Sequence, residues 1–288
     1  MAELLKGAPV AASLKEKLKE AIETEKITPK LAIVRVGCKG SDLAYEKGVT
    51  KTCDSVGIKT EVFEFPEDIS QVDLENAFAG INSDDSIHGI LFFKPLPKHL
   101  DEKAFDRLID PEKDMDCMSP ANWAKLSTGD ESGYYPCTAE AVVKMIEYAG
   151  KDITGANAVI LGRSQVIGKP LGLMLLKKNA TVTWCHSKTK DIPYHCQGAD
   201  ILVSACGAAG LVRREHAEHT ADGCVALDVG MNFVDGKMCG DFAFDEVEPY
   251  VGMITPVPGG VGSVTNTIMA SHVVRAAIKA EKGKIVNF

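Results

Sequence analysis

Short apolar runs alternate with stretches of helical periodicity along almost the whole chain, and this alternation restricts the fold more than any other feature. Residues 31–36, 88–93, 158–161, 201–204 and 225–229 are largely apolar runs of strand length. Runs of this kind fit strands buried on both faces, as in parallel sheets. Residues 60–65 and 181–184 read as further strands. Residues 11–25, 41–55, 72–82, 138–148, 168–178 and 265–281 carry helical spacing of apolar residues. Ser41 is placed to cap the second helix and Gly57 to close it. A β-α-β-α-β succession implies a mostly parallel sheet covered by helices. Residues 101–135 break the pattern and read as a long irregular stretch, the kind of segment that often carries function. The 288 residues suit two domains of ordinary size.

Composition removes several classes of function. Lys and Arg number 32 against 40 Asp and Glu, a net charge of −8 without a long basic run. Nucleic-acid binding needs clustered cations, so none is expected. No stretch approaches the 18 apolar residues of a membrane span, and the first ten residues lack a signal-peptide pattern, so no membrane association is expected. The nine cysteines, Cys38 among them, form no C-x-x-C pair. They read as buried thiols of a cytoplasmic protein. His186 beside Cys185 and His195 beside Cys196 lack the close ligand pairs of zinc sites, and no metal is expected.

The strongest local signal for a ligand follows the strand at 158–161. Gly162-Arg163-Ser164-Gln165-Val166-Ile167-Gly168 leads directly into a helix. Glycine at a strand-to-helix turn lets backbone N–H groups approach a phosphate, and the helix N-terminus favours the negative charge. A tight turn in which Gly168 serves only helix packing is the competing reading. In an NAD site an acidic residue ends the next strand and binds the ribose hydroxyls. Here that position reads Trp184-Cys185-His186-Ser187-Lys188, with no carboxylate. Arg163 and Ser187 suit a 2′-phosphate, so NADP is expected rather than NAD. Cys206 and Gly207, and Asp228 and Gly230, follow later strands and are expected to border the same cofactor. Asp228 also reads as an acceptor for backbone hydrogen bonds. Pro258-Gly259-Gly260-Val261-Gly262 combines a rigid entry with a permissive loop ahead of the last helix.

Taken in order, Lys113-Asp114-Met115-Asp116, Pro136-Cys137-Thr138, the Gly162 to Pro170 turn, Cys185-His186-Ser187 and the Pro258 to Gly262 loop resemble the methylenetetrahydrofolate dehydrogenase/methenyltetrahydrofolate cyclohydrolase family over nearly the whole chain. The resemblance implies an N-terminal α/β substrate domain and a Rossmann-like dinucleotide-binding domain with a cleft between them. It places residues 1–138 and 268–288 in a folate-binding catalytic domain and residues 139–267 in an NADP-binding domain. It also implies a homodimer and tetrahydrofolate derivatives as substrates. By resemblance, Tyr45, Asp116, Pro258, Gly259 and Gly260 contact the folate, with Tyr45 and Asp116 at the reacting end.

This chain departs from the family at places that bear on chemistry. The family pattern has a lysine four residues after the tyrosine, where this chain has Val49. A strand ending in Gln-Leu-Pro-Leu-Pro becomes Phe93-Lys94-Pro95-Leu96-Pro97. In the family the lysine, glutamine and tyrosine together serve opening of the methenyl ring by water, which needs proton transfers. Valine moves no proton and phenylalanine forms no such hydrogen bond. The reading is therefore oxidation of methylenetetrahydrofolate by hydride transfer to NADP, with cyclohydrolase activity weak or lost. The alternatives are a fully bifunctional enzyme using Lys94 or water, and a non-catalytic folate- or nucleotide-binding regulator. Lys94 stays a candidate catalytic residue, although neighbours in an extended segment point to opposite sides.

Overall fold

The structure is a computed structural model that describes residues 1–37 and 40–288. Cys38 and the side chain of Ser41, the expected cap, lie outside the described residues. In chain order the elements are β1 (Glu3–Leu4), α1 (Gly7–Glu25), β2 (Lys30–Val36), α2 (Gly40–Val56), β3 (Lys59–Phe65), α3 (Gln71–Ser83), β4 (Gly89–Phe92), α4 (Glu102–Leu108), α5 (Pro120–Thr128), α6 (Cys137–Tyr148), β5 (Asn157–Leu161) and α7 (Gly168–Lys177). They continue with β6 (Thr181–Cys185), α8 (Ile192–Cys196), β7 (Ile201–Ser204), α9 (Arg214–Ala217), β8 (Val225–Asp228), β9 (Asn232–Val234), β10 (Lys237–Cys239), α10 (Phe244–Val247), β11 (Met253–Ile254) and α11 (Gly262–Lys282). The chain divides into two units, residues 13–137 with 266–288 and residues 1–12 with 138–265.

The first unit holds a three-stranded parallel sheet in the order β3-β2-β4. The central strand β2 is buried from Leu31 to Val36, including Arg35. The Arg35 guanidinium is matched by Glu46 at 2.7 Å and Glu64 at 2.8 Å, which is what allows a charge at this depth. Phe78 of α3, Phe92 of β4 and Phe105 of α4 pack ring against ring, with centroids 4.9–5.4 Å apart. Each such ring, fully buried, is worth about 1.5–3 kcal/mol of transfer free energy. The alternating β3 is an edge strand with most of its residues at least partly open to solvent. In α11, Lys279 pairs with Glu112 at 2.6 Å and the buried His272 meets the Met115 carbonyl at 2.7 Å, which anchors that helix within this unit.

The stretch 101–135, expected to be irregular, contains α4 and α5. Asp101 caps α4 by accepting from Lys103 N, and Ser119 caps α5 by accepting from Asn122 N, with Pro120 in the first turn. Helices of 7 and 9 residues show too few turns for periodicity to stand out. Between them Asp114 is fully buried and accepts from Met118 N, Ser119 N and Asn122 Nδ2. This carboxylate folds the segment back on itself and so fixes the position of Asp116.

The second unit holds a six-stranded, wholly parallel sheet in the order β1-β11-β8-β7-β5-β6. The chain leaves β5 for β6 on one side and then returns to β7 on the other, so the strand order reverses between β5 and β7. Crevices at such reversals, beyond the carboxyl ends of the strands, are where open α/β sheets hold ligands. Residues 1–12, expected with the substrate domain, group with this unit because β1 pairs with β11. A two-residue strand without an apolar run leaves no mark in the sequence. The antiparallel β9–β10 hairpin was likewise not expected. Among the described residues no helix is long and apolar enough to cross a membrane.

Candidate active site

At the reversal point of the six-stranded sheet lies a cavity of about 450 Å³. Gly162, Arg163, Ser164, Ser187 and Cys206 line it, and they are five of the residues expected to bind a cofactor. Gly162 has φ +123°, a conformation that glycine tolerates and other residues rarely adopt. A Cβ on Gly168 would lie 2.2 Å from the Gly162 carbonyl oxygen, so only glycine lets α7 begin this close to the turn. Ser164 Oγ accepts from Ile167 N at 3.0 Å and Gly168 N at 3.4 Å, which holds the turn against the start of α7 and leaves its O–H as a donor. Trp184 Nε1 donates to the Gly168 carbonyl at 2.8 Å, clamping the same turn from β6. Among the described residues no carboxylate lines the cavity. A glycine turn, a helix N-terminus, a cation and serine hydroxyl groups fit a dinucleotide bearing an extra phosphate.

Gly168, Gly207, Asp228 and Gly230 do not line this cavity. Asp228 is buried and accepts from Gly230 N, Asp241 N and Phe242 N at 2.8–2.9 Å. Burial pushes its carboxyl up to about 6, although those N–H groups oppose the shift. Its role in the fold is to hold the 240–242 segment, as its position at the end of a strand suggested. The Gly207 N–H donates to Asp241 at 3.2 Å. Asp241 was missed in the sequence. The Pro258–Gly260 loop follows β11, and Gly7 N donates to the Gly259 carbonyl at 2.9 Å. Gly259 has φ +106°, and a Cβ on Gly7 would lie 2.2 Å from the Gly260 oxygen. The loop is therefore shaped against the start of α1.

In the other unit, Tyr45 of α2 and Phe93 after β4 bring their rings to 5.5 Å. Val49, one turn beyond Tyr45 on α2, is fully buried, and Phe93 is nearly so. Tyr45 as a whole residue stays 37% exposed. Burial of its hydroxyl, followed by the charges of Asp116, Cys137 and Cys53, pushes the phenol above its ordinary range. Asp116 accepts from Cys137 N at 2.8 Å. Burial pushes its carboxyl up to about 6, with the Cys137 hydrogen bonds opposing and the Asp114 charge adding. Tyr45, Phe93 and Asp116 thus belong to one neighbourhood. Lys94 is committed elsewhere, its amine paired with Asp106 and, at 3.8 Å, with Glu102 of α4. Among the described residues no group of His, Cys, Asp and Glu is arranged to hold a metal, and none of the eight described cysteines forms a disulfide.

A parallel sheet with a glycine turn at its reversal point defines a dinucleotide-binding α/β protein. Comparison with known proteins narrows this. Residues 5–116 match the catalytic domain, and residues 136–281 the NAD(P)-binding domain, of tetrahydrofolate dehydrogenase/cyclohydrolase; the chain belongs to this family. It is 50% identical over 280 residues to the bifunctional protein FolD of Alkaliphilus oremlandii, covering 96% of this chain and 97% of that protein. The bifunctional FolD structure from Campylobacter jejuni superposes with a TM-score of 0.92 at 38% identity, over 96% of this chain and 99% of that one. A Trypanosoma brucei methylenetetrahydrofolate dehydrogenase-cyclohydrolase, solved with NADP and an inhibitor, gives 0.90 at 31% identity, over 98% and 99% of the two chains.

Proposed function

We propose that this protein oxidises methylenetetrahydrofolate to methenyltetrahydrofolate with NADP, and that it hydrolyses the methenyl product weakly or not at all. The observation that carries the second half is the buried, apolar pair Val49 and Phe93 beside Tyr45. The family's hydrolytic step needs a lysine and a glutamine there. Opening a methenyl ring requires an attacking water to lose a proton and a ring nitrogen to gain one. Neither side chain moves a proton, and Lys94 is drawn to Asp106. A phenol held above its ordinary range is a weak base at neutral pH, so Tyr45 alone does not replace the lost lysine.

The cofactor cavity and the family likeness support the dehydrogenase half. When bound, NADP accepts a hydride from the folate methylene carbon, so the protein's task is to hold and align the two. Arg163 and Ser187 are assigned to the 2′-phosphate, with Gly162 and Ser164 at the pyrophosphate. Tyr45 is assigned to the aromatic part of the folate, Asp116 to hydrogen-bond donors of its pterin end, and Pro258, Gly259 and Gly260 to its flank. The family likeness also favours a homodimer, and thiols not joined in disulfides favour the cytoplasm.

The second reading, a working bifunctional enzyme, is favoured by the 50%-identical relative carrying that name. Stopped-flow decay of methenyl absorbance with the unmodified protein and with Lys94→Ala separates the two. Slow decay supports the proposal. Fast decay that Lys94→Ala abolishes would transfer the proton role to Lys94.

A further inference from the structure

Three successive backbone N–H groups after β7 converge on one carboxylate. Asp241 Oδ2 accepts from Cys206 N at 2.7 Å and Gly207 N at 3.2 Å, and Oδ1 accepts from Ala208 N at 2.8 Å. The Ser204 hydroxyl at 2.8 Å and the Asn232 amide at 3.1 Å complete the set. Every partner donates, so both oxygens act only as acceptors, as those of an ionised carboxylate do. Asp241 is fully buried. Gly207 has φ +64°, and a turn of this kind forms a concave nest of N–H groups that in other proteins receives a phosphate. Here the chain's own side chain fills the nest. Asp228 sets that side chain in place by accepting from Asp241 N, and Gly230 leaves room for it, since a Cβ there would lie 2.1 Å from Asp241 Oδ1.

The same loop is a wall of the cavity at the reversal point, to which Ala205, Cys206 and Ala208 contribute. We infer that Asp241 is a positioning residue for the dinucleotide: an internal anion that holds this wall in its binding shape and, by filling the nest, leaves the Gly162–Gly168 turn as the phosphate-binding element. The inference rests on the reading that the cavity holds NADP.

The test is calorimetric titration of the full-length protein with NADP, using wild type, Asp241→Asn and Asp241→Ala. Asp241→Asn keeps the shape but turns an amide NH₂ toward N–H donors, and NADP affinity falls about tenfold or more. The KM for methylenetetrahydrofolate stays within about twofold, since no folate contact is assigned to this loop. Asp241→Ala loses affinity as well. Sodium formate, a carboxylate small enough to enter the emptied nest, restores most of it, while sodium chloride of equal ionic strength does not. A side chain that only filled space would not be replaced by a free anion in this way. Unchanged affinity in Asp241→Asn, or a loss in Asp241→Ala that formate leaves in place, overturns the inference. If both variants are insoluble, Ser204→Ala decides: affinity weaker by about threefold supports it and unchanged affinity overturns it. A wild type that binds no NADP overturns the cofactor reading and this inference together, whereas a binding wild type beside an equally binding Asp241→Asn overturns the inference alone.

Discussion

The ring of Phe93 lies 5.5 Å from that of Tyr45 and is tilted to it by 42°. This is a tilted aromatic contact of ordinary separation, which adds to area burial by about 0.5–1.5 kcal/mol. It places a hydrocarbon surface against the one polar aromatic of α2 that the family uses for chemistry. With Val49 buried one turn further along, neither position at which the family carries a lysine or a glutamine offers a group to relay a proton.

Restoring the lost pair tests this directly. Val49→Lys with Phe93→Gln should raise methenyl hydrolysis, and each change alone should raise it less, because groups that act as a unit are not additive. General acid–base assistance is commonly worth about 100- to 10,000-fold, so the gain should be plain in the absorbance decay. The cost is stability, since a lysine replaces a fully buried valine, and thermal melts should show a lowered Tm. A double variant that folds and hydrolyses no faster would remove Val49 and Phe93 as the cause.

Cofactor choice should follow charge. The cavity wall offers Arg163 and Ser187 and, among the described residues, no carboxylate. NADP should therefore be strongly preferred to NAD in steady-state kinetics. Ser187→Asp should invert or erase the preference, because a carboxylate repels a 2′-phosphate and accepts from ribose hydroxyl groups. Equal use of NAD and NADP by the wild type would count against the assignment.

What could be read from the sequence depended on how local the cause was. β2 and β4 announced themselves as largely apolar runs, interrupted in β2 by Arg35, because both their faces are covered. The turn at Gly162 and Gly168 was legible because backbone approach demands glycine at both places. β1 was not, since two residues, Glu3 and Leu4, owe their strand conformation entirely to pairing with Met253 and Ile254, some 250 positions away. Asp241 was invisible for a similar reason. Its five donors come from residues 204–208 and 232, and nothing near Gly240 in sequence announces that contact. Lys94 could be read only as one of two possibilities until its ion pair with Asp106 was seen.

Gly168→Ala should injure the cofactor unit. The added Cβ would lie 2.2 Å from the Gly162 oxygen and 2.6 Å from its carbon, and backbone atoms cannot swing aside as a flexible side chain can. Overpacking of this kind costs about 1–3 kcal/mol. The Tm should fall by several degrees and the KM for NADP should rise, with folate KM less affected. A variant that melts and binds like the wild type would mean that α7 shifts freely relative to β5.

Asp116 should leave a signature in pH, and its sign can be worked out. Its carboxyl is pushed from 3.8 up to about 6, so the folded state holds the proton more firmly than the unfolded chain does. Its contribution to stability is therefore fully present below about pH 4 and is lost as pH rises through about 6. Asp116→Asn keeps an oxygen to accept from Cys137 N and removes the partly buried charge. It should raise Tm at pH 8 relative to wild type, and the difference should shrink toward zero at pH 4. Activity should run the other way. If Asp116 accepts hydrogen bonds from the pterin end, the carboxylate is the working form, and kcat/KM for the folate should fall as pH drops below about 6. In Asp116→Asn that limb should disappear from a lower, flat profile, while NADP affinity stays unchanged. Melting curves and initial rates across pH 4 to 8 check both halves. A variant that weakens NADP binding as much as folate turnover would make Asp116 a structural residue, and an acid limb that persists in Asp116→Asn would assign the titration to another group.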